Sequence, residues 1–97
     1  MENLKEKLKN EIEKVTWPLL EEHNKREALL IVDLELDLVE VAAAVAEDDV
    51  ENVKAWLSSE KLLRPTEQMV QSYEENPELG FKFIIIQPYV IAQEIKE

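Results

Sequence analysis

The stretch of residues 38–65 constrains the fold most, because its apolar spacing breaks in the middle. The first part repeats apolar side chains at helical intervals, at Leu38, Val41, Ala42 and Val45. If that helix continued, Asp48 or Asp49 would lie on its core side, where an unpaired carboxylate is costly. We therefore predict that the helix ends near Glu47 and that a second helix begins at once, with Asp48 and Glu51 in the spacing of a capping box.

Upstream of this segment, apolar spacing predicts two helices and a strand. The first helix is indicated by the recurrence of Leu4, Leu8, Ile12 and Val15. A second short helix is predicted over residues 18–25, because proline suits the first turn of a helix. Residues 28–32 are continuously apolar, which is typical of a strand covered on both faces. The alternation of leucines and acids over residues 34–38 would prolong that strand.

Downstream, short apolar runs alternate with turn residues. The second helix of the central segment carries an apolar stripe of Val50, Val53, Trp56 and Leu57. A short strand at residues 62–63 follows, limited by Pro65, and Thr66 is placed to cap a helix that extends to Glu75. Residues 81–86, FKFIII, have a strong strand composition, and Gly80 before them predicts a turn with positive φ. Beyond Pro88, residues 89–96 fit a strand or a helix.

The predicted order is helix, helix, strand, helix, helix, strand, helix, strand, which gives an α+β fold with a small, mainly antiparallel sheet. When the first helix and the helix after Thr66 are set aside, residues 28–87 resemble a winged-helix-like core. The alternative is an α+β sandwich in which the two central helices form an antiparallel hairpin on a sheet. A chain of 97 residues has room for one modest core, so we expect a single domain over residues 1–97.

Two runs of the sequence also carry a resemblance over most of the chain. They are DLVEVAAAVAEDDVENVKAWLSSEKLLRPT and, near the end, IIIQPYVIAQE. With the pair Trp17 and Pro18, they are similar to the small bacterial proteins grouped as domain of unknown function 2288. The resemblance extends to Glu94 and implies a bacterial, cytoplasmic protein. It supplies no catalytic residues.

The charge of the chain is acidic and unevenly distributed. The net charge is −11, residues 1–26 are neutral, and residues 33–51 contain eight acids and no Lys or Arg. In a DNA-binding winged helix the second helix of the corner would enter the major groove, but here it offers Asp48, Asp49 and Glu51 against a single Lys54. Such a surface repels phosphates and acidic membranes and attracts basic proteins. We therefore expect neither nucleic-acid nor membrane binding.

Residues for catalysis or cofactor binding are sparse in the sequence. Cysteine is absent, which excludes thiolate catalysis and Cys-ligated zinc. His23 is the one histidine, and Gly80 is the one glycine, so neither a catalytic triad nor a glycine-rich phosphate loop is indicated. We assign no catalytic, cofactor-binding or metal-binding residue. One alternative stays open: if residues 34–38 are extended, the carboxylates at positions 33, 35 and 37 project to one side and would suit Mg²⁺ or Ca²⁺ in a metal-dependent or carboxylate-based enzyme. Asp48, Asp49 and Glu51 are a second candidate cluster for such a cation.

The remaining class of function is protein interaction without catalysis. We expect a cytoplasmic protein that docks a partner of basic character through its acidic residues, with these candidates: Asp33, Glu35, Asp37, Asp48, Asp49 and Glu51. The apolar run of residues 83–91 would support a homodimer if one of its edges were left open. A further alternative is that the acidic surface imitates DNA and inhibits a nucleic-acid-binding protein.

Overall fold

The computed structural model describes residues 3–95 and has one five-stranded sheet with helices on both faces. The elements follow one another as α1 (Leu4–Asn10), β1 (Glu13–Thr16), α2 (Trp17–Lys25), β2 (Leu29–Val32), α3 (Leu38–Ala46), α4 (Val50–Ser58), β3 (Leu62–Leu63), α5 (Glu67–Glu75), β4 (Gly80–Ile86) and β5 (Tyr89–Glu94). The strand order across the sheet is β1-β4-β5-β2-β3. The neighbours are antiparallel except for β5 and β2, which are parallel.

Each face of the sheet has its own hydrophobic core. Helices α1, α3 and α4 cover one face, where Val41 and Ile84 are fully buried. Helices α2 and α5 cover the other face, where Trp17 and Phe81 are fully buried. Because side chains alternate along a strand, Ile31 of β2 lies in the core with Trp17 and Val32 lies in the core with Val41. This arrangement confirms that the apolar run at residues 28–32 forms a strand covered on both faces.

The predicted break between the two central helices is confirmed, with one local difference. Helix α3 ends at Ala46 and α4 begins at Val50. The residue that caps α4 is Asp49, whose Oδ1 accepts a hydrogen bond from the backbone N–H of Asn52 at 3.3 Å. Asp48 does not form the predicted capping box, because it takes the left-handed conformation, with φ of 60°, that turns the chain between the helices.

The α+β class and the mainly antiparallel sheet are confirmed, whereas the winged-helix-like arrangement is not. Strands β1 and β5 extend the sheet beyond the predicted core, and β5 pairs with β2 in parallel. Helices α3 and α4 pack together on one face of the sheet, as in the sandwich alternative. The second helical layer, formed by α2 and α5, covers the face that a winged helix would leave free of helices.

The remaining local predictions have mixed outcomes. The first helix is shorter than predicted, because it ends at Asn10 and Val15 lies in β1 opposite Phe81. The segment of residues 89–96, for which the sequence fitted a strand or a helix, contains strand β5 at residues 89–94. Residue 96 lies outside the described residues. Gly80 begins β4 without a positive φ. A Cβ there would lie 3.3 Å from Cδ1 of Ile95, so close approach explains the glycine better than backbone conformation does.

Candidate functional site

The turn between α3 and α4 carries the acidic corner, which we define as Glu47, Asp48, Asp49 and Glu51. Glu47, Asp48 and Glu51 are exposed, and Asp49 is half-buried. None of the four makes an ion pair with the described residues. The corner is therefore a concentrated negative charge without an internal counterion in the part of the chain that the structure describes.

The first three backbone N–H groups of the corner are satisfied by carbonyls of α3 rather than by the corner's carboxylates. The N–H of Glu47 donates to the carbonyl of Ala43 at 2.9 Å, and the N–H of Asp49 donates to the carbonyl of Ala44 at 2.8 Å, which closes the last turn of α3. Asp49 then uses its carboxylate locally, since its Oδ2 accepts from Nδ2 of Asn52 at 2.7 Å. The other three carboxylates of the corner make no hydrogen bond or ion pair with residues 3–95 and extend into solvent.

The other three predicted docking residues occupy the loop before α3, and each of them has a local partner. The Oδ1 atom of Asp33 accepts from the N–H of Glu35 at 2.8 Å, and the Oδ1 atom of Asp37 accepts from the N–H of Val39 at 2.8 Å, as an N-cap. Residues 34–36 thus form a turn rather than a strand, and Leu38 begins α3. The predicted extended row of carboxylates is wrong, because side-chain bonds to the backbone compete with strand geometry here.

The six predicted residues therefore form two groups at opposite ends of α3. That helix has nine residues, which separates its ends by about 14 Å along the axis. Within residues 3–95, no three His, Asp or Glu side chains are grouped as metal ligands would be. In the same range, no helix is long and apolar enough to cross a membrane.

Two basic residues from other parts of the chain form ion pairs with acids of residues 33–51, a segment that itself contains no Lys or Arg. The Nζ atom of Lys61 lies 2.9 Å from Oε2 of Glu35, and this hydrogen bond together with the carboxylate charge raises the pKa of Lys61 above its ordinary value. The Nζ atom of Lys5 lies 3.9 Å from Oε1 of Glu40. Both pairs lie outside the corner. Asp33 and Asp37 have no ion pair but accept backbone hydrogen bonds, so within residues 33–51 the carboxylates that have neither kind of partner among the described residues lie at the turn between α3 and α4.

Beside the acidic corner lies an apolar hollow that the sequence did not reveal. We call it the α4 groove; it has a volume of about 320 Å³ and is lined by Leu30, Val45, Asp48, Asp49, Val50, Val53, Lys54, Leu57, Leu62 and Tyr89. Helix α4 contributes no fully buried side chain, and Val50 and Leu57 are 52% and 47% exposed. The sequence predicted the apolar stripe of α4 but not its partial exposure, because apolar spacing shows that residues share a face and not how completely that face is covered.

The fold and the site define a small α+β domain whose distinctive surface is an acidic helix corner next to an apolar groove. Residues 3–94 match the family described as "Protein of unknown function (DUF2288)", and the chain belongs to this family. The resemblance seen in the sequence is thereby confirmed.

A solved structure with a similar fold is the NMR solution structure of PA1075 from Pseudomonas aeruginosa. The sequence identity is 39%, the alignment covers 97% of this chain and 86% of that chain, and the TM-score is 0.83. No match is found among proteins with curated descriptions.

Proposed function

We propose that this protein is a non-enzymatic interaction domain whose acidic corner docks on a basic surface of a partner protein. The observation that carries the proposal is the position of Glu47 and Asp48 at the C-terminal end of α3, where neither carboxylate forms an ion pair with a described residue. The helix dipole is negative at that end, so carboxylates there are disfavoured by a few tenths of a kcal/mol to about 1 kcal/mol.

The electrostatics of the helix therefore does not account for the negative charge of these two residues, although Asp48 also suits the left-handed conformation of the turn. Glu51 differs, because it lies in the first turn of α4, where negative charge is favourable. A Lys or Arg of a partner would relieve the repulsion at the end of α3 and would be drawn to the corner by the field of a chain with net charge −11.

A comparison of two charge-matched variants tests this proposal. The corner variant combines Glu47→Lys, Asp48→Lys and Glu51→Lys, and it spares Asp49 because that residue caps α4. The control variant combines Glu22→Lys, Glu75→Lys and Glu78→Lys, which are exposed acids outside the corner. Both variants change the net charge by the same amount, so a difference between them reports position rather than total charge.

Each immobilised protein is incubated with cell lysate at low salt, and the retained proteins are quantified by mass spectrometry. We expect the wild type and the control variant to retain the same set of proteins, with the corner variant reduced by about tenfold, which corresponds to about 1.4 kcal/mol. The retained set should fall as salt is raised, because exposed charge contacts are screened within about 10 Å at 0.1 M salt. Equal retention by the corner variant and the wild type would refute the proposal.

A further inference from the structure

We propose that the α4 groove receives an apolar side chain from a short basic segment of the partner, with flanking Lys or Arg residues on the acidic corner. The inference rests on the proposed function, because the groove and the corner share Asp48 and Asp49. It adds an anchoring site and a sequence character for the partner: one or two large apolar residues next to basic ones.

The first step concerns the groove itself. One wall is α4, with Val50 and Leu57, and the other is the end of the sheet, with Leu30 of β2 and Tyr89 of β5. Tyr89 is 42% exposed, so together with the two α4 residues it leaves apolar surface in contact with water. Concave apolar surface that is left uncovered is typical of a binding site, and its burial would contribute roughly 25 cal/mol per Å².

The second step concerns the size of the occupant. A volume of about 320 Å³ is at the lower limit of the roughly 300–1,000 Å³ of small-molecule sites. Its lining is mainly aliphatic, with Asp48, Asp49 and Lys54 as the charged members. The groove thus offers an apolar floor with charge at one side, which suits an anchoring side chain on a peptide that continues beyond the groove.

The third step selects among the classes of occupant by charge. Asp48 and Asp49 line the groove directly, and Glu47 and Glu51 adjoin it in sequence, against Lys54 as the basic lining residue. A second copy of this chain would bring a further net charge of −11, and an acidic lipid surface would be repelled. A basic segment of another protein is the complementary occupant.

The probe is a fluorescein-labelled Leu/Lys peptide of twelve residues, measured by fluorescence anisotropy at low salt. Two control peptides keep its length: a Ser/Lys peptide, in which the leucines are replaced, and a Leu/Glu peptide, in which the lysines are replaced. We expect the Leu/Lys peptide to bind the wild type about tenfold more tightly than the Ser/Lys peptide, with no measurable binding of the Leu/Glu peptide.

Variants of the protein locate the contact. The groove variant, Leu57→Ser with Tyr89→Ser, should lose that tenfold preference and bind both lysine peptides alike. The matched control, Leu19→Ser with Leu34→Ser, removes two apolar side chains that are 53% and 46% exposed and do not line the groove, and it should keep the preference. Amide shifts in NMR spectra of the wild type with the Leu/Lys peptide should concentrate at Val53, Leu57 and Tyr89.

The outcomes separate this inference from the proposed function. If the groove variant keeps the preference for the Leu/Lys peptide, or the amide shifts lie elsewhere, the groove is not the anchor and the inference is overturned. Binding of the Leu/Glu peptide would also overturn the inference. So would self-association of the wild type if the groove variant abolished it, because a second copy of the chain would then occupy the groove. The proposed function depends instead on the corner variant in the lysate experiment, which keeps every apolar residue of the groove and changes Asp48 among its lining residues.

Discussion

Single aspartates set both ends of α3, and they do so by different means. Asp37 begins the helix, because its Oδ1 accepts from the N–H of Val39 at 2.8 Å and of Glu40 at 3.4 Å. Asp48 follows the end of the helix in the left-handed conformation, with φ of 60°, a role that glycine often fills. Asp is among the residues that tolerate this conformation, so the corner forms without a glycine. The same residue thus turns the chain and exposes a carboxylate.

Another residue with a distinctive environment is Tyr73, which is 4% exposed on the buried side of α5. Its ring centroid lies 5.0 Å from those of Trp17 and Phe81, and the contact with Phe81 is edge-to-face. The indole N–H of Trp17 is buried in this cluster and has no hydrogen-bond partner among residues 3–95. Burial, together with the negative charge of Glu94, raises the pKa of Tyr73 to about 12.

This pKa predicts a loss of stability at alkaline pH. The ordinary pKa of tyrosine is 10.0, so between pH 10.0 and about 12 Tyr73 ionises in the unfolded chain but remains neutral in the folded protein. Its contribution to the free energy of unfolding is therefore complete below pH 10.0 and declines as the pH rises. Urea unfolding at pH 8 and pH 11 should show a decline in the free energy of unfolding that is smaller in Tyr73→Phe than in the wild type by roughly 1 kcal/mol. Tyr89→Phe is the control and should decline as the wild type does. An equal decline in Tyr73→Phe would contradict this assignment.

At the scale of elements, Gln93 connects the sheet to the loop that precedes α3. It is 4% exposed on β5, and its Nε2 donates to the carbonyls of Asp33 at 2.9 Å and of Leu36 at 2.7 Å. The loop folds into a turn instead of continuing β2, and this amide donates to two of its carbonyls, of which that of Asp33 also accepts from the N–H of Leu36 at 3.0 Å. One polar side chain of the sheet thus holds the turn that leads into α3.

Replacement of that amide should loosen the loop. Gln93→Leu keeps the approximate volume but removes the side-chain donor of the Leu36 carbonyl and leaves the Asp33 carbonyl with the N–H of Leu36, so we expect the free energy of unfolding to fall by about 1–3 kcal/mol. Amide hydrogen exchange at Glu35 and Leu36 should accelerate more than exchange in α5. Gln68→Leu, on the exposed side of α5, is the control and should change stability by less than about 0.5 kcal/mol. If both variants were equally stable, the two bonds of Gln93 would not hold the loop.

The elements differ in how far sequence alone predicts them. Helix α5 and strand β4 follow from local signals: Thr66 caps the helix through a 3.1 Å bond to the N–H of Met69, and FKFIII is dense in strand formers. Strand β1 does not, because Val15 continues the spacing of the first helix and becomes a strand residue only by pairing with β4. The parallel pair β2 and β5 joins segments about 60 residues apart, which no local pattern indicates.

For the whole molecule, the distribution of charge in space differs from its distribution along the chain. Lys5 and Lys61 approach acids of residues 33–51 from distant parts of the sequence. Within that acidic run, the carboxylates that have neither an ion pair nor a hydrogen bond to the described residues all lie at the corner. Residues 83–91 lie in β4, in β5 and in the turn between them, and both strands are interior in the strand order. Strand β1 pairs only with residues 80–83 of β4, so residues 84–86 have no strand partner on that side among the described strands, and the homodimer stays a prediction. Composition predicted an acidic surface, but folding determined which acids stay free and that an apolar groove adjoins them.

Site-specific photo-crosslinking tests most directly whether the corner docks a protein. A photoreactive phenylalanine derivative is placed at Ala46, an exposed residue next to the corner, and in a second protein at Gln71, an exposed residue on α5 across the sheet. Docking at the corner predicts that one discrete protein from cell lysate is crosslinked at position 46 but not at position 71. This crosslink should be lost when the salt concentration is raised or when Asp48→Lys is added. Equal crosslinking at the two positions, or adducts at position 46 that survive both treatments, would contradict docking through the acidic corner.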